Sequence, residues 1–309
     1  MKLTVILLHF VIFPVQAFAP NLQHSLQSSA TSISAIGVQS LKGDELVALF
    51  NQKMVDPNSP STSSEKELRE KITSLLSIGW SARDGFEIPT EQIEELDLMM
   101  SSEDGAPRPS TYGEITELGS RQLFHYMGLI PISADSGCEG DGTTNEDLIF
   151  VDLGCGSGKL MIQAYVELPS VQKFMGVELA QARYAAAAQA WENLEKDATE
   201  LRLQVDKGTE GDIVSAEVDI REGDLFELDI SSATHIYVAS LCFTDAMLDK
   251  LAKKIIDEGD KLIVVATIKP FPEKFNDRLG EPNTEFLEMS WTEKDGKGSP
   301  VNFYFPKKK

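Results

Sequence analysis

Ile149-Phe-Val-Asp-Leu-Gly-Cys-Gly-Ser-Gly-Lys159 is the stretch around which the chain is organised. Its apolar start, with Leu148, predicts a buried strand over 148–151. Asp152 ends it, Gly154, Gly156 and Gly158 make a turn, and a helix is expected from Lys159 to Glu167. Three glycines in five residues let the backbone bend sharply and approach a ligand closely, because no Cβ intervenes. The helix that follows offers free N–H groups at its first turn. A phosphate-binding P-loop needs G-x-x-x-x-G-K-[ST]. Here Leu153 stands five before Gly158 and Leu160 follows Lys159, so that pattern fails. A dinucleotide fingerprint needs G-x-G-x-x-G. The third glycine comes one residue early, which weakens that reading and leaves it open.

Asp-Leu-Gly-x-Gly-x-Gly resembles the first motif of class I S-adenosylmethionine (SAM) dependent methyltransferases. A SAM site needs a glycine floor, with acidic groups for the amine and the ribose. Lys173-Phe-Met-Gly-Val-Glu178 reads as a second strand ending in a carboxylate, about 25 residues after the turn, near the spacing for ribose recognition. Arg221-Glu-Gly-Asp-Leu225 follows a third strand, where Asp224 fits the adenine amine and Leu225 the ring. Ile236-Tyr-Val-Ala-Ser-Leu-Cys-Phe243 ends the fourth, and the loop beyond it faces the transferred methyl in this fold. It lacks the Asn/Asp-Pro-Pro-aromatic motif of many amine and amide methyltransferases and offers Ser240, Cys242 and Phe243 instead. A less polar wall suits an amine that must lose its proton before attack.

Strands are expected at 148–152, 173–178, 214–220, 234–239 and 260–268, and helices at 158–168, 180–196 and 244–257. Two late strands, 285–291 and 301–305, flank a charged turn. The expected fold is α/β: a doubly wound class I methyltransferase sheet with a closing antiparallel hairpin. Upstream, apolar spacing predicts helices at 44–55, 64–78 and 90–100. They are read as a small helical subdomain, with Trp80 and Phe86 packing it onto the main body. Thr116 is the expected cap of a helix over 117–127.

Four segments resemble the Dot-one (Disruptor of Telomeric Silencing) family of non-SET histone-lysine methyltransferases. They are Tyr112-Gly-Glu114, Val151-Asp-Leu-Gly-Cys-Gly-Ser-Gly158, Tyr237-Val-Ala-Ser-Leu-Cys-Phe243, and Ser290-Trp-Thr292 with Pro300-Val-Asn-Phe-Tyr304. Lys269-Pro-Phe271 also fits. The resemblance covers 110–306 and implies a protein-lysine N-methyltransferase with SAM as cofactor. It implies that Tyr112, Gly113 and Glu114 form a loop over the methionine end, with Tyr112 at the reacting centre as well. Asp152, Gly154, Gly156 and Gly158 would floor the pocket, Glu178 hold the ribose, and Asp224 and Leu225 hold adenine. Phe243 and Phe303 would line the lysine channel; Ser240 is added to the reacting centre from the reading of the loop after the fourth strand. Ala239 stands where the family has Asn, and the family's basic nucleosome-binding segment is missing, which points to another protein lysine as acceptor. The alternatives are a small-molecule methyltransferase and a catalytically weakened SAM-binding module.

Composition narrows the partners. The net charge of −21 and a basic cluster confined to Lys307-Lys-Lys309 argue against strong nucleic-acid binding. Lys2 and the apolar run 3–13, with Val15-Gln-Ala17, form a signal-peptide pattern over 1–17. The segment 18–43, opening with Phe18-Ala-Pro20, is Ser-rich and acid-free. Together they resemble the bipartite plastid presequence of algae with secondary plastids, the alternative being the secretory pathway. The expected domains are then a helical segment with linker over 44–110 and a methyltransferase domain over 111–306. No membrane span is expected in the mature chain. Cys138, Cys155 and Cys242 form no disulfide framework, and His125 and His235 with scattered Cys make no metal spacing.

Overall fold

The computed structural model describes residues 63–81, 85–99, 112–129, 148–205, 216–292 and 297–307. The leader, the helix expected at 44–55, the segment 131–146 and Cys138 lie outside the described residues. Strand β1 (Leu148–Leu153) lies inside the sheet, next to its central strand. It pairs in parallel with β2 (Val171–Glu178) on one side and β4 (His235–Val238) on the other. Next to β2 runs β3 (Glu217–Glu222), and next to β4 runs β5 (Val264–Thr267), both parallel. The sheet closes with β7 (Ser299–Tyr304), antiparallel to β5, and then β6 (Asn283–Leu287).

The strand order is β3-β2-β1-β4-β5-β7-β6. A dinucleotide-binding sheet runs 3-2-1-4-5-6 and is mostly parallel. The antiparallel β7 inserted before β6 is what sets this sheet apart. The fold is that of the class I methyltransferases. Because the strand order reverses between β1 and β4, a crevice opens at their carboxyl ends, and both glycine turn and acidic strand tip lie there.

Two cores hold the sheet, and alternation along the strands assigns residues to them. Phe150 and Phe174 face α4 (Lys159–Glu167) and α5 (Gln181–Val205), together with Tyr165, Ala190 and Leu194. Val151, Leu153, Met175 and Val177 face the opposite way, onto Leu248, Leu251 and Ile255 of α6 (Asp245–Glu258). Gly158 opens α4 with φ +82°, and a Cβ there would meet the Ala187 Cβ at 2.9 Å. That glycine lets α5 lie directly on the turn.

Three helices precede the sheet: α1 (Ser63–Gly79), α2 (Thr90–Met99) and α3 (Glu117–Tyr126). Ile72 and Leu75 of α1, with Trp80 beyond it, belong to the same core as Phe150 and Phe174. Thr116 caps α3, accepting from the Gly119 N–H at 3.0 Å. Arg121 of α3 makes a part-buried two-pronged contact to Glu167 of α4 (2.7 and 3.0 Å). Among the described residues, no helix is long and apolar enough to cross a membrane.

The helix expected to end at 196 runs on to Val205 because its buried stripe continues through Leu194, Ala198, Leu201 and Val205. The extension places Arg202 against the end of α4, where it donates to the carbonyls of Tyr165, Leu168, Pro169 and Val171. Tyr165 lies in the last turn of α4 and Leu168 caps it, so Arg202 meets carbonyls that a helix end leaves without partners as well as those of Pro169, in the link to β2, and Val171, the first residue of β2. The fifth strand is shorter than expected, and 3-10 turns at Ser240–Cys242 and Glu273–Phe275 and a short α7 (Asn276–Leu279) were not expected. The expected strand over 285–291 shifts to Asn283–Leu287, so Trp291 leaves the sheet for a turn.

Candidate functional site

A cavity of about 860 Å³ opens at the carboxyl ends of β1, β2 and β4. Its floor is set by Glu178, the last residue of β2. One carboxylate oxygen accepts from the Gly156 N–H (2.9 Å) and the other from the Ala180 N–H (2.8 Å). The side chain is therefore clamped by both turns while still lining the cavity. Gly156 has φ +56°, and a Cβ on it would meet the Tyr112 ring at 2.7 Å. A Cβ on Gly154, which also lines the cavity, would meet no protein atom within 4 Å. The turn is thus bare backbone on the side where a ligand fits.

Asp152 lies beneath, 3% exposed, and its Oδ1 has no hydrogen-bond partner. Burial first, then the Glu178 charge, push its carboxyl up to about 8. A buried acceptor of this kind calls for a cationic or donor group from a ligand.

Tyr112 forms the roof. Its phenol donates to Glu114 Oε1 (2.8 Å) and accepts from the Ser157 N–H (3.1 Å). Burial, and then the Glu114 charge, raise its pKa beyond the ordinary phenol range. The Arg183 guanidinium lies 4.5 Å from the ring centroid, and Phe86 meets the ring edge-on at 4.9 Å. Glu114 Oε2 is 2.7 Å from the Lys159 ammonium, so its carboxylate organises the roof from within and is not among the cavity-lining groups. The loop is stitched to 288–292: Ser290 N–H donates to the Glu114 carbonyl (2.8 Å) and Glu114 N–H to the Ser290 hydroxyl (3.0 Å). Trp291 lies against Gly113, where a Cβ would meet its ring at 2.4 Å. The Tyr-Gly-Glu and Ser-Trp-Thr segments, far apart in sequence, are one structure. Trp80 secures the roof from α1 by donating its indole N–H to the Ser157 carbonyl (2.8 Å).

Several expected site residues lie outside the cavity lining, Asp152 and Glu114 among them. Ser240 was expected to face the transferred methyl. It is fully buried, its hydroxyl 3.1 Å from that of Thr267 and accepting from the Lys269 N–H (2.9 Å). Its 3-10 turn rotates the hydroxyl into the protein, where it anchors the loop. Lys269 adds a second tie, its ammonium donating to the Phe243 carbonyl (2.7 Å). Phe303 was expected to line a lysine channel. It is 0% exposed and packs beside Tyr126 (5.6 Å), on the α3 face of β7 and away from the cavity. Gly158 is likewise a packing residue outside the cavity lining.

Tyr112, Gly113, Gly154, Gly156, Glu178, Asp224, Leu225 and Phe243 all line the one cavity. Asp224 is fixed by the Phe226 N–H (2.9 Å). Ala239, Leu241, Phe243, Ile268 and Trp291 add a largely apolar part of the lining, together with Cys242 and Thr244. Sequence reasoning missed Arg183, Lys250 and Trp291 as lining residues. Trp291 carried a signal, since its motif had been singled out. Arg183 and Lys250 are ordinary helix positions in the sequence, and nothing there marks them.

No family model matches the chain. Over 119 residues it is 29% identical to a protein-lysine N-methyltransferase of Saccharolobus islandicus, a match taking in 38% of this chain. The chain spans 62% of the length of that relative. Solved structures with a similar course include an RNA methyltransferase from Salinibacter ruber in complex with S-adenosyl-L-homocysteine (TM-score 0.34, 22% identity, 53% of this chain and 84% of that one). Another is the delta-N METTL16 MTase domain (TM-score 0.37, 10% identity, 73% and 98%).

The buried Asp152 has a consequence for stability. Its folded pKa lies above the ordinary 3.8, so the folded chain holds a proton that the unfolded chain has lost. That stabilisation is complete below the unfolded value and disappears as the pH rises towards 8. Urea midpoints of the ligand-free protein should therefore fall between about pH 5 and about pH 8. Asp152→Asn should flatten that slope; an identical slope in the variant would show that Asp152 does not titrate there.

Proposed function

We propose that the cavity binds SAM and that the protein is a SAM-dependent methyltransferase acting on a lysine side chain of a protein. The observation that carries the reading is the clamped Glu178 carboxylate beside a bare glycine turn, above the unpartnered Asp152 oxygen. Glu178 keeps acceptor capacity for a ribose diol after its two backbone bonds. Asp152 offers a buried carboxylate to an ammonium. Asp224 and Leu225 suit an adenine amine and ring, and Tyr112 closes the roof. SAM supplies an electrophilic methyl group on sulfur and leaves as S-adenosylhomocysteine.

The acceptor end favours an aliphatic amine. Ala239, Leu241, Phe243, Ile268 and Trp291 line this part of the cavity together with Cys242 and Thr244, with no carboxylate or imidazole among them. A lysine, with an ordinary pKa near ~10.4, is pushed towards its neutral form by desolvation among them. Its lone pair then meets the methyl carbon in line, with alignment as the main contribution of the protein. The lysine ammonium would give up one proton to solvent before attack; as the N–C bond forms the S–C bond to the methyl would break, and the methylated amine would carry the positive charge that the sulfur loses. The partial likeness to a protein-lysine N-methyltransferase supports this acceptor. The Dot-one resemblance supports it too, while Ala239 and the acidic charge direct the choice away from nucleosomes. The leader supports action in a plastid, with 111–306 as the methyltransferase domain.

Incubating the full chain with methyl-labelled SAM and either plastid extract or histones tests the activity. Label on protein is expected. Label only in the small-molecule fraction would replace the acceptor, and saturable SAM binding without transfer would make the protein a binding module. Glu178→Ala should weaken SAM binding by about 1.5–3 kcal/mol, and unchanged affinity by calorimetry would remove Glu178 from the site. A fluorescent protein carrying residues 1–43 should enter plastids; retention along the secretory route would refute the assignment.

A further inference from the structure

We infer that Lys250 completes the nucleobase end of the cavity by donating a hydrogen bond to a ring nitrogen of the cofactor's adenine, an inference that rests on the SAM reading above. At this end the loop after β3 faces α6. Leu225, Phe226, Ala246 and Met247 make an apolar slot, and the charged side chains lining it are Asp224 and Lys250. The Lys250 ammonium lies over the Phe226 ring, 3.9 Å from its centroid. That contact holds the stem along the slot and employs one face of a group with three N–H donors.

The neighbouring lysines of α6 are engaged differently. Lys253 pairs with Asp249 and Lys254 with Glu258, both at 2.7 Å. Lys250 forms no ion pair among the described residues. Across the slot, Asp224 is held by the Phe226 N–H, which fixes an acceptor against the same aromatic residue that Lys250 covers. An apolar slot with an anionic acceptor and a cationic donor on its rims complements a flat heteroaromatic ring carrying an amino group beside a ring nitrogen. Asp224 takes the amine and Lys250 the adjacent nitrogen, N1 or N7. Guanine reverses this polarity on its Watson–Crick edge, with a protonated ring nitrogen beside an oxo group, and fits the pair less well.

The test uses the full chain and titration calorimetry with S-adenosylhomocysteine and its 1-deaza and 7-deaza analogues, which replace one ring nitrogen by CH. The wild-type protein should bind one analogue about tenfold more weakly than S-adenosylhomocysteine. In Lys250→Met, S-adenosylhomocysteine should weaken by a similar factor while that analogue binds as before, so the ratio collapses towards one. Lys250→Arg should keep the discrimination. Lys250 is exposed, so these substitutions leave the core intact. A ratio unchanged in Lys250→Met, or wild-type protein that binds both analogues as tightly as the parent compound, overturns the inference. Wild-type protein that binds no S-adenosylhomocysteine at all removes the cofactor reading, and this inference with it, before any variant is compared.

Discussion

The site depends on one carboxylate held by two backbone N–H groups. Glu178 accepts from Gly156, in the turn after β1, and from Ala180, in the turn after β2. This is possible only because the two strands are parallel neighbours in fixed register, with Asp152 beside Gly176 and Leu153 beside Val177. Val177 strengthens the tie by accepting from both Gly154 and Cys155 (2.8 and 3.0 Å). Sheet register thus passes directly into turn geometry. A slip of one residue would turn Glu178 to the other face of the sheet and leave two N–H groups without partners.

The arrangement also concentrates negative charge. Asp152 lies buried close to Glu178, and two such carboxylates in one apolar place repel each other. Both effects raise the pKa of the Asp152 carboxyl, which favours its protonated form while no cation is bound. The roof meets a similar demand differently. There Glu114 is offset by Lys159, and Tyr112 and Ser157 supply hydrogen bonds. The roof is therefore satisfied internally, while beneath the floor the Asp152 Oδ1 keeps an unused acceptor.

Much of this was legible in the sequence, for identifiable reasons. The apolar run ending in Asp152, the glycine spacing and the acidic end of β2 are local patterns, and local patterns fix strand, turn and helix. The closing hairpin and the Thr116 cap were legible for the same reason. Long-range placement was not. Ser240 has the right residue type in the right loop, but a 3-10 turn directs its hydroxyl to Thr267 and Lys269. Phe303 sits on a strand whose alternation could be read, yet how β7 docks on β5 turns it to the core beside Tyr126, and no residue of β7 lines the cavity. Lys250 is one lysine among several on an amphipathic helix, and only its seat on Phe226 distinguishes it.

The hydrogen bond from Trp80 to the Ser157 carbonyl has a spectroscopic consequence. It places an indole against the glycine turn, while Trp291 forms part of the cavity wall and Trp191 packs against Tyr165 at 4.9 Å. The emission of an indole responds to the polarity and hydrogen bonding around it. The protein accordingly carries one indole in the cavity wall, a second against the glycine turn and a third, half-buried and outside the lining, as a reference. Occupancy can be followed by intrinsic fluorescence without attaching any dye.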